Sequence, residues 1–248
     1  MAAATQAPLA IPGLHMPPSL EDLRRSSAAY NVLPDDGEQP EVETVYLQEL
    51  ASLFKRFSVQ DKFGMHLIHG HSKLDEGNIM LGTALATVRG CWTKPTSITD
   101  IDLSNIHGHI FRLTGNGEMQ AYEYHEGPVV NLDGVNPAFF RELAQYLLAN
   151  GLENLLGLQV LVQDAPEMMC EFVLQNHGTV MLDAREVKAW KSFRTTGFTL
   201  NSNLSTNELK GGQSHAKTTK GTHQVFIDGK IGKEDPLMDA LRAEGIVY

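Results

Sequence analysis

The sequence predicts an α+β fold in which a mostly antiparallel sheet packs with two or three helices, behind a disordered N-terminal tail. Strand patterns outnumber helical patterns, glycine-containing turns join several strands, and the first 41 residues are rich in proline. Runs of strands interrupted by few helices are typical of α+β proteins and not of alternating β–α–β folds. No internal repeat is visible.

The first segment, residues 1–41, is predicted to be a flexible Pro-rich tail. It holds six of the eleven prolines and begins with an Ala-rich stretch. Such a composition buries too little apolar surface to offset the entropy lost on ordering. Ser19, followed by Glu21 and Asp22, indicates the start of a short helix within the tail. Residues 42–248 are predicted to form a single α+β domain.

Three helices are predicted in that domain from apolar spacing and end signals. Residues 44–57 place apolar side chains at helical intervals. A second helix begins at Asn136-Pro137 and ends before Gly151, which combines a capping residue, a proline in the first turn and a glycine after the last turn. A short third helix begins at Asp235-Pro236 and is closed by Gly245.

Strands are predicted where apolar residues alternate or form short runs between turn signals. Gly115-Asn116-Gly117 and Asn176-His177-Gly178 suit tight turns with positive φ, so each is predicted to join a hairpin. An Asp228-Gly229 turn follows a further apolar run. The predicted strands span residues 63–71, 108–113, 118–125, 158–162, 168–174, 179–182 and 225–227.

The composition narrows the classes of function. A net charge of −10 repels a phosphate backbone at long range, which argues against a nucleic-acid partner. The longest dense apolar run, residues 152–162, is interrupted by polar residues and is too short to span a bilayer, so no membrane insertion is expected. Cys91 and Cys170 lie far apart and no secretory leader is visible, which predicts a reducing, cytoplasmic location.

The histidines carry the main functional hypothesis. The chain has ten, and His69 and His71 alternate along a predicted strand, which places them on one face roughly 6–7 Å apart. Two imidazoles so placed can share a divalent metal such as Zn or Fe, and Glu76 in the following loop is the predicted carboxylate ligand. The alternative is that both histidines line the core beside Phe63 and bond to main-chain carbonyls. His66, on the opposite face, is predicted to be exposed.

The same segment resembles the first motif of the cupins. It reads Gly64-x4-His69-x-His71-x4-Glu76-x5-Gly82, with both outer glycine spacings one residue shorter than in that motif. The resemblance covers about twenty residues, and no matching second motif follows. A helix at residues 136–150 does not suit a small β-barrel, so the fold prediction stays α+β.

A second resemblance extends over two segments. Leu67-Ile68-His69-Gly70-His71-x2-Leu74-x-Glu76-Gly77 and the later Gly151-Leu152-x2-Leu155-Leu156-Gly157-Leu158 are similar to segments of a group of uncharacterised fungal proteins. That group implies no activity for this chain.

His107 and His109 share a face of the first predicted hairpin. If this hairpin paired beside the strand that carries His69, four histidines would converge, and His107, His109 and Glu76 would be the acid–base residues of the site. Nothing in the sequence requires that adjacency.

A basic loop is predicted at about residues 201–222. Within it, Gly211-Gly212-Gln213-Ser214-His215-Ala216-Lys217-Thr218 has the appearance of a phosphate loop, but no apolar strand precedes it and no helix is predicted after it. A solvated loop is therefore expected, in which Lys210, Lys217 and Lys220 are the candidate contacts for an anion or an acidic partner.

The leading functional hypothesis is a metal-dependent enzyme that acts on a small molecule at a histidine cluster. The first alternative is a non-enzymatic binding or scaffold protein that uses the N-terminal tail and the basic loop. The second is a metal-free enzyme with histidine acid–base residues. Substrate, reaction type and oligomeric state are not determined by these patterns.

Overall fold

Ten strands form a closed β-barrel in the computed structural model, which describes residues 10–162, 167–200, 211–218, 220–221, 223–227 and 231–248. The helices are α1 (Leu20–Tyr30), α2 (Thr44–Phe57), α3 (Ala138–Ala149) and α4 (Glu234–Ala243). The strands are β1 (Phe63–Leu67), β2 (Asn78–Ala84), β3 (Gly90–Ser97), β4 (Ile106–Leu113), β5 (Met119–Glu126), β6 (Leu156–Val160), β7 (Met169–Leu174), β8 (Gly178–Asp183), β9 (Trp190–Phe198), β10 (Gly211–Thr218) and β11 (Gln224–Val225).

The order around the barrel is β10-β9-β1-β6-β4-β5-β2-β3-β8-β7, and β7 pairs again with β10 to close the ring. Neighbouring strands are antiparallel except at β2–β5 and at the closing pair β7–β10, which are parallel. The short β11 pairs with β7 further along the same strand. The closing pair is called the seam below.

The prediction of an α+β sheet packed with helices is therefore wrong, since the sheet closes on itself. The sequence patterns did not predict β2, β3, β9 and β10, because Gly, Ser, Thr and Lys interrupt the apolar residues of these strands. Closure also depends on pairing between β7 and β10, which are distant along the chain, and local periodicity contains no information about such pairing.

The helices and the apolar faces of the strands form two large cores and a third, small apolar cluster around Tyr30, Met80 and Tyr122. In the larger core, Phe139 of α3 meets Phe54 of α2 edge-on at 5.0 Å and stacks on Phe63 of β1 at 5.7 Å between ring centroids. In the smaller core, Leu237 of α4 belongs to the same buried cluster as Phe172 of β7. A helix at residues 138–149 is thus compatible with a barrel, because it packs in the larger core and leaves the opposite face of the strands to polar residues.

That opposite face carries polar side chains. On β7, Cys170 and Phe172 belong to the smaller core, and Glu171 between them points the other way, as strand alternation requires. On β4 the apolar Phe111 joins the larger core, while His109 lies on the opposite face. The barrel interior is therefore lined by titratable groups.

The N-terminal segment is packed from residue 10 onward, so the predicted disordered tail is wrong for residues 10–41; residues 1–9 lie outside the described part. Ile11 and Leu14 are buried in the larger core. Helix α1 begins after Ser19, whose hydroxyl caps the backbone N–H of Asp22, as the sequence indicated. The proline-rich composition predicted disorder wrongly, because a few buried apolar side chains are enough to hold this segment against the rest of the fold.

The predicted basic loop is wrong for residues 211–218, which form β10 between β9 and β7. Residues 201–210 lie outside the described part of the chain, and Lys210 with them. Among the described residues, no helix has the length and apolar character needed to cross a membrane.

Candidate metal centre

Four side chains from three separate parts of the chain converge at one point. Their metal-binding atoms, one per residue, all lie within 4.8 Å of one another. They come from the segment after β1, from β7 and from β10, and are named the cluster below: His69, His71, Glu171 and His215.

The seam places two members of the cluster. Glu171 and His215 are direct partners in the parallel register of β7 and β10, so their side chains project to the same side. The other two follow β1, which ends at Leu67, so both lie in the next turn and not on the predicted strand. In that turn, the backbone N–H of His71 donates to the Tyr30 hydroxyl at 3.3 Å.

Hydrogen bonds at Nδ1 determine which ring nitrogen faces the centre. His69 Nδ1 lies 2.8 Å from the Leu67 carbonyl oxygen, and His215 Nδ1 lies 2.9 Å from Asp36 Oδ2. Both partners accept, so each Nδ1 carries a proton and each Nε2 faces the centre, where it offers a lone pair when its ring is neutral. The two Nε2 atoms are nevertheless only 3.2 Å apart. Lone pairs so close require a proton or a metal cation between them.

The carboxylate faces the same point. Glu171 Oε1 lies 3.2 Å from His71 Nε2, and Glu171 Oε2 lies 3.1 Å from His215 Nε2. Glu171 Oε2 is buried, and its contact with His215 Nε2 is an ion pair whose geometry is too bent for a hydrogen bond. A single proton can bridge two of these atoms, whereas a metal ion satisfies all four ligands together.

Burial and charge shift the pKa values in the cluster. Burial lowers the pKa of His69 well below its usual range, and the neighbouring His71 and His66 lower it further. Burial would raise the pKa of Glu171, but His215 and His71 outweigh it and hold that pKa well below the usual value. For His215, burial lowers the pKa, yet the Glu171 and Asp36 carboxylates raise it to about 9. Without metal, the centre therefore holds a proton on His215.

The predicted ligands are brought together only in part. His69 and His71 belong to the cluster, as their spacing indicated. Glu76 is exposed and lies outside the cluster. The carboxylate of the cluster belongs to Glu171. His66, predicted to be exposed, is 4% exposed and stacks on His69 at 5.3 Å. It points inward because the closed barrel buries the polar face of β1.

The predicted acid–base histidines form a separate group. The His109 ring stacks on His125 at 3.6 Å, and His107 lies 6.1 Å from His125. Strand β6 separates β4 from β1 in the barrel, so this hairpin is not adjacent to the segment that carries His69. His109 is instead held by Gln159 of β6, at 3.1 Å.

A pocket of about 510 Å³ opens beside the cluster. His71 is the member of the cluster that lines it, and Lys217, predicted as an anion contact, lines it as well. Lys220 is exposed on the following turn and is not among the lining residues. The pocket gives a small molecule direct access to the cluster from one side.

Sequence reasoning missed Glu171, His215 and Asp36. A signal existed for Glu171, since a carboxylate between Cys170 and Phe172 is an acid inside an apolar strand, and buried acids are rare unless paired. His215 and Asp36 lie in polar segments that carry no comparable signal.

Comparisons with known proteins identified no relative: no family model, no curated protein and no solved structure matches this chain.

Proposed function

We propose that the cluster binds one divalent metal ion and that the protein is an enzyme acting on a small molecule at that ion. The observation that carries the proposal is the pair of His69 and His215 Nε2 atoms, 3.2 Å apart and each bonded through Nδ1 to an acceptor. Three imidazoles and one carboxylate form a ligand set that suits Zn, Fe or another first-row divalent ion.

The residues around the cluster orient its ligands. Asp36 accepts a hydrogen bond from His215 Nδ1, and the Leu67 carbonyl accepts one from His69 Nδ1. Such second-sphere contacts keep the ring orientation and raise the basicity of the ligating nitrogen. Both imidazoles are thus held with Nε2 toward the centre before any metal arrives.

An enzymatic role is supported by the access that the pocket gives to the cluster. His215 is fully buried, whereas His71 lines the pocket, so a substrate would approach the ion across His71. Four protein ligands fill the positions of a tetrahedral ion, so a substrate would bind to an ion that expands its coordination to five or more. A bound ion there would act as a Lewis acid or activate water or O₂.

Metal analysis of untagged protein tests the binding claim. After incubation with Zn²⁺ or Fe²⁺ and removal of excess ion, we expect about one metal per chain in the wild type. Glu171→Gln and the double variant His69→Ala/His71→Ala should lose most of it. Glu76→Gln, which changes an exposed carboxylate outside the cluster, is the matched control and should bind like the wild type. Full metal content in Glu171→Gln would refute the ligand assignment.

Activity is tested on the metal-loaded protein with a small-molecule library, with turnover followed by mass spectrometry. Turnover that needs the ion and disappears in Glu171→Gln supports the proposal. Turnover that survives complete chelation would instead identify the metal-free acid–base enzyme. A loaded protein that turns over no compound of the library would argue for a binding role.

A further inference from the structure

We infer that the pocket beside the cluster binds a small carboxylic acid that carries a planar ring, with Lys217 as the contact for its carboxylate. The inference rests on the proposed metal site and names the class of substrate that the site would take. Four features of the pocket carry it: its position, its aromatic walls, its charges and its size.

The exposed fractions of the cluster side chains show where a ligand would reach the cluster. Within the cluster, His215 has no exposed side-chain surface, Glu171 has 6% and His71 has 9%. His71 also lines the pocket, so a molecule in the pocket meets the cluster at His71. An open ligand position on a bound ion would therefore face this pocket.

The walls present aromatic rings to solvent. Phe193 is 42% exposed and Phe226 is 66% exposed, and both line the pocket together with Val173. Phe193 lies 5.6 Å from His215 and 4.8 Å from His223 between ring centroids. Aromatic side chains left open in a concave site next to polar groups offer stacking surface to a planar ligand.

Lys217 is the lysine that lines the pocket, together with two carboxylates. Asp36 is paired with His215, and Asp35 accepts from the Gly37 N–H and keeps its negative charge. Lys217 has no ion pair among the described residues, and its ammonium nitrogen lies 4.2 Å above the centre of the Phe193 ring. The Phe193 ring thus lies close to both this ammonium group and the cluster.

The positive charges and the aromatic walls of the pocket suit a small aromatic acid. A divalent ion with the Glu171 carboxylate would keep a positive charge, and Lys217 adds a second positive charge beside Phe193. A carboxylate can reach either cation while its ring lies against Phe193 or Phe226. A volume of about 510 Å³ admits one such molecule.

Benzoate binding to the cobalt-loaded protein tests the inference, because the visible absorption of bound Co²⁺ responds to ligands near the ion. We expect benzoate to perturb that spectrum saturably, and Lys217→Met to weaken its binding about tenfold, which corresponds to about 1.4 kcal/mol. Lys217→Arg should retain most of the affinity. Lys220→Met removes a lysine on the neighbouring exposed turn and should leave it unchanged.

Two further probes separate the ring from the charge. Benzyl alcohol has the ring without the charge, and acetate has the charge without the ring; both should bind at least about tenfold more weakly than benzoate. Equal affinities of Lys217→Met and Lys220→Met, or acetate binding as well as benzoate, would overturn the inference while leaving the metal site in place. Failure of the wild type to bind cobalt would overturn the proposed metal site and the inference with it.

Discussion

Metal binding should tighten the seam of the barrel. Strands β7 and β10 are joined by only three register partners, and one of these is the Glu171–His215 pair. Any ion held by the cluster ties these strands to each other and to the turn that carries His69 and His71. Metal removal should therefore destabilise the whole fold and loosen the seam most.

The magnitude follows from linkage. An ion that binds only the folded state, at a free concentration one hundred times its dissociation constant, stabilises that state by about 2.7 kcal/mol. For a protein of this size each kcal/mol raises the melting temperature by about 2–4 °C. Zinc at that concentration should raise it by about 5–10 °C, and Glu171→Gln should abolish most of the rise.

Thermal unfolding followed by circular dichroism measures the first effect, and Glu76→Gln is the control that should keep the full rise. Hydrogen exchange measures the second: amides of residues 211–218 should exchange more slowly with zinc, while those of β5, which supplies no ligand, should change little. If zinc binds stoichiometrically and slows exchange in β5 as much as in residues 211–218, the ion does not sit across the seam.

Three further predictions concern the barrel itself. Gly178 has φ of +85° and an added Cβ would lie 1.9 Å from the Thr93 carbonyl oxygen, so Gly178→Ala should cost roughly 2–4 kcal/mol in urea unfolding. Gly117→Ala should cost about 1 kcal/mol, because φ is +81° there but the nearest atom, Leu148 Cδ1, would be at an ordinary contact distance of 3.8 Å. Burial and His107 lower the pKa of His125 to about 3, so the unfolded chain takes up this proton at a higher pH than the folded state does, and stability should fall as pH drops below 6.5. His125→Gln should make that fall shallower. An unchanged dependence of stability on pH would contradict this prediction. Burial and Glu171 raise the pKa of Glu123 to about 8, so the metal-free folded state binds this proton more tightly than the unfolded chain does, and that stability is lost as pH rises toward 8. The free energy of unfolding of Glu123→Gln should therefore increase relative to that of the wild type between pH 5 and pH 8. A constant difference between the two proteins would count against the assignment.

Elements whose causes are local were predictable from the sequence. The apolar spacing of α2 predicted its bounds, Thr44–Phe57, because one face of that helix contributes to the larger core. The glycine turns predicted both hairpins, and the observed turns have positive φ at Gly117 and Gly178. In each case the signal lies within a few residues of the structure it specifies.

Elements that depend on the barrel were not predictable in this way. Strand β10 reads as a polar loop, because one of its faces lines the barrel interior and the residues paired with it lie on β9 and β7. The N-terminal segment reads as a tail, although Ile11 and Leu14 are anchored in a core formed by distant strands. Both errors arise because composition does not say what surrounds a segment.

The residues of the candidate site also fall into a predictable and an unpredictable group. The sequence alone determined that the backbones of His69 and His71 lie within about 7 Å of each other, and it suggested a metal as their shared partner. Only the tertiary structure decided that Glu171 and His215 complete the set and that Glu76 does not. The physical reason is that seam closure aligns β7 with β10 and brings their inward side chains within reach of the turn after β1.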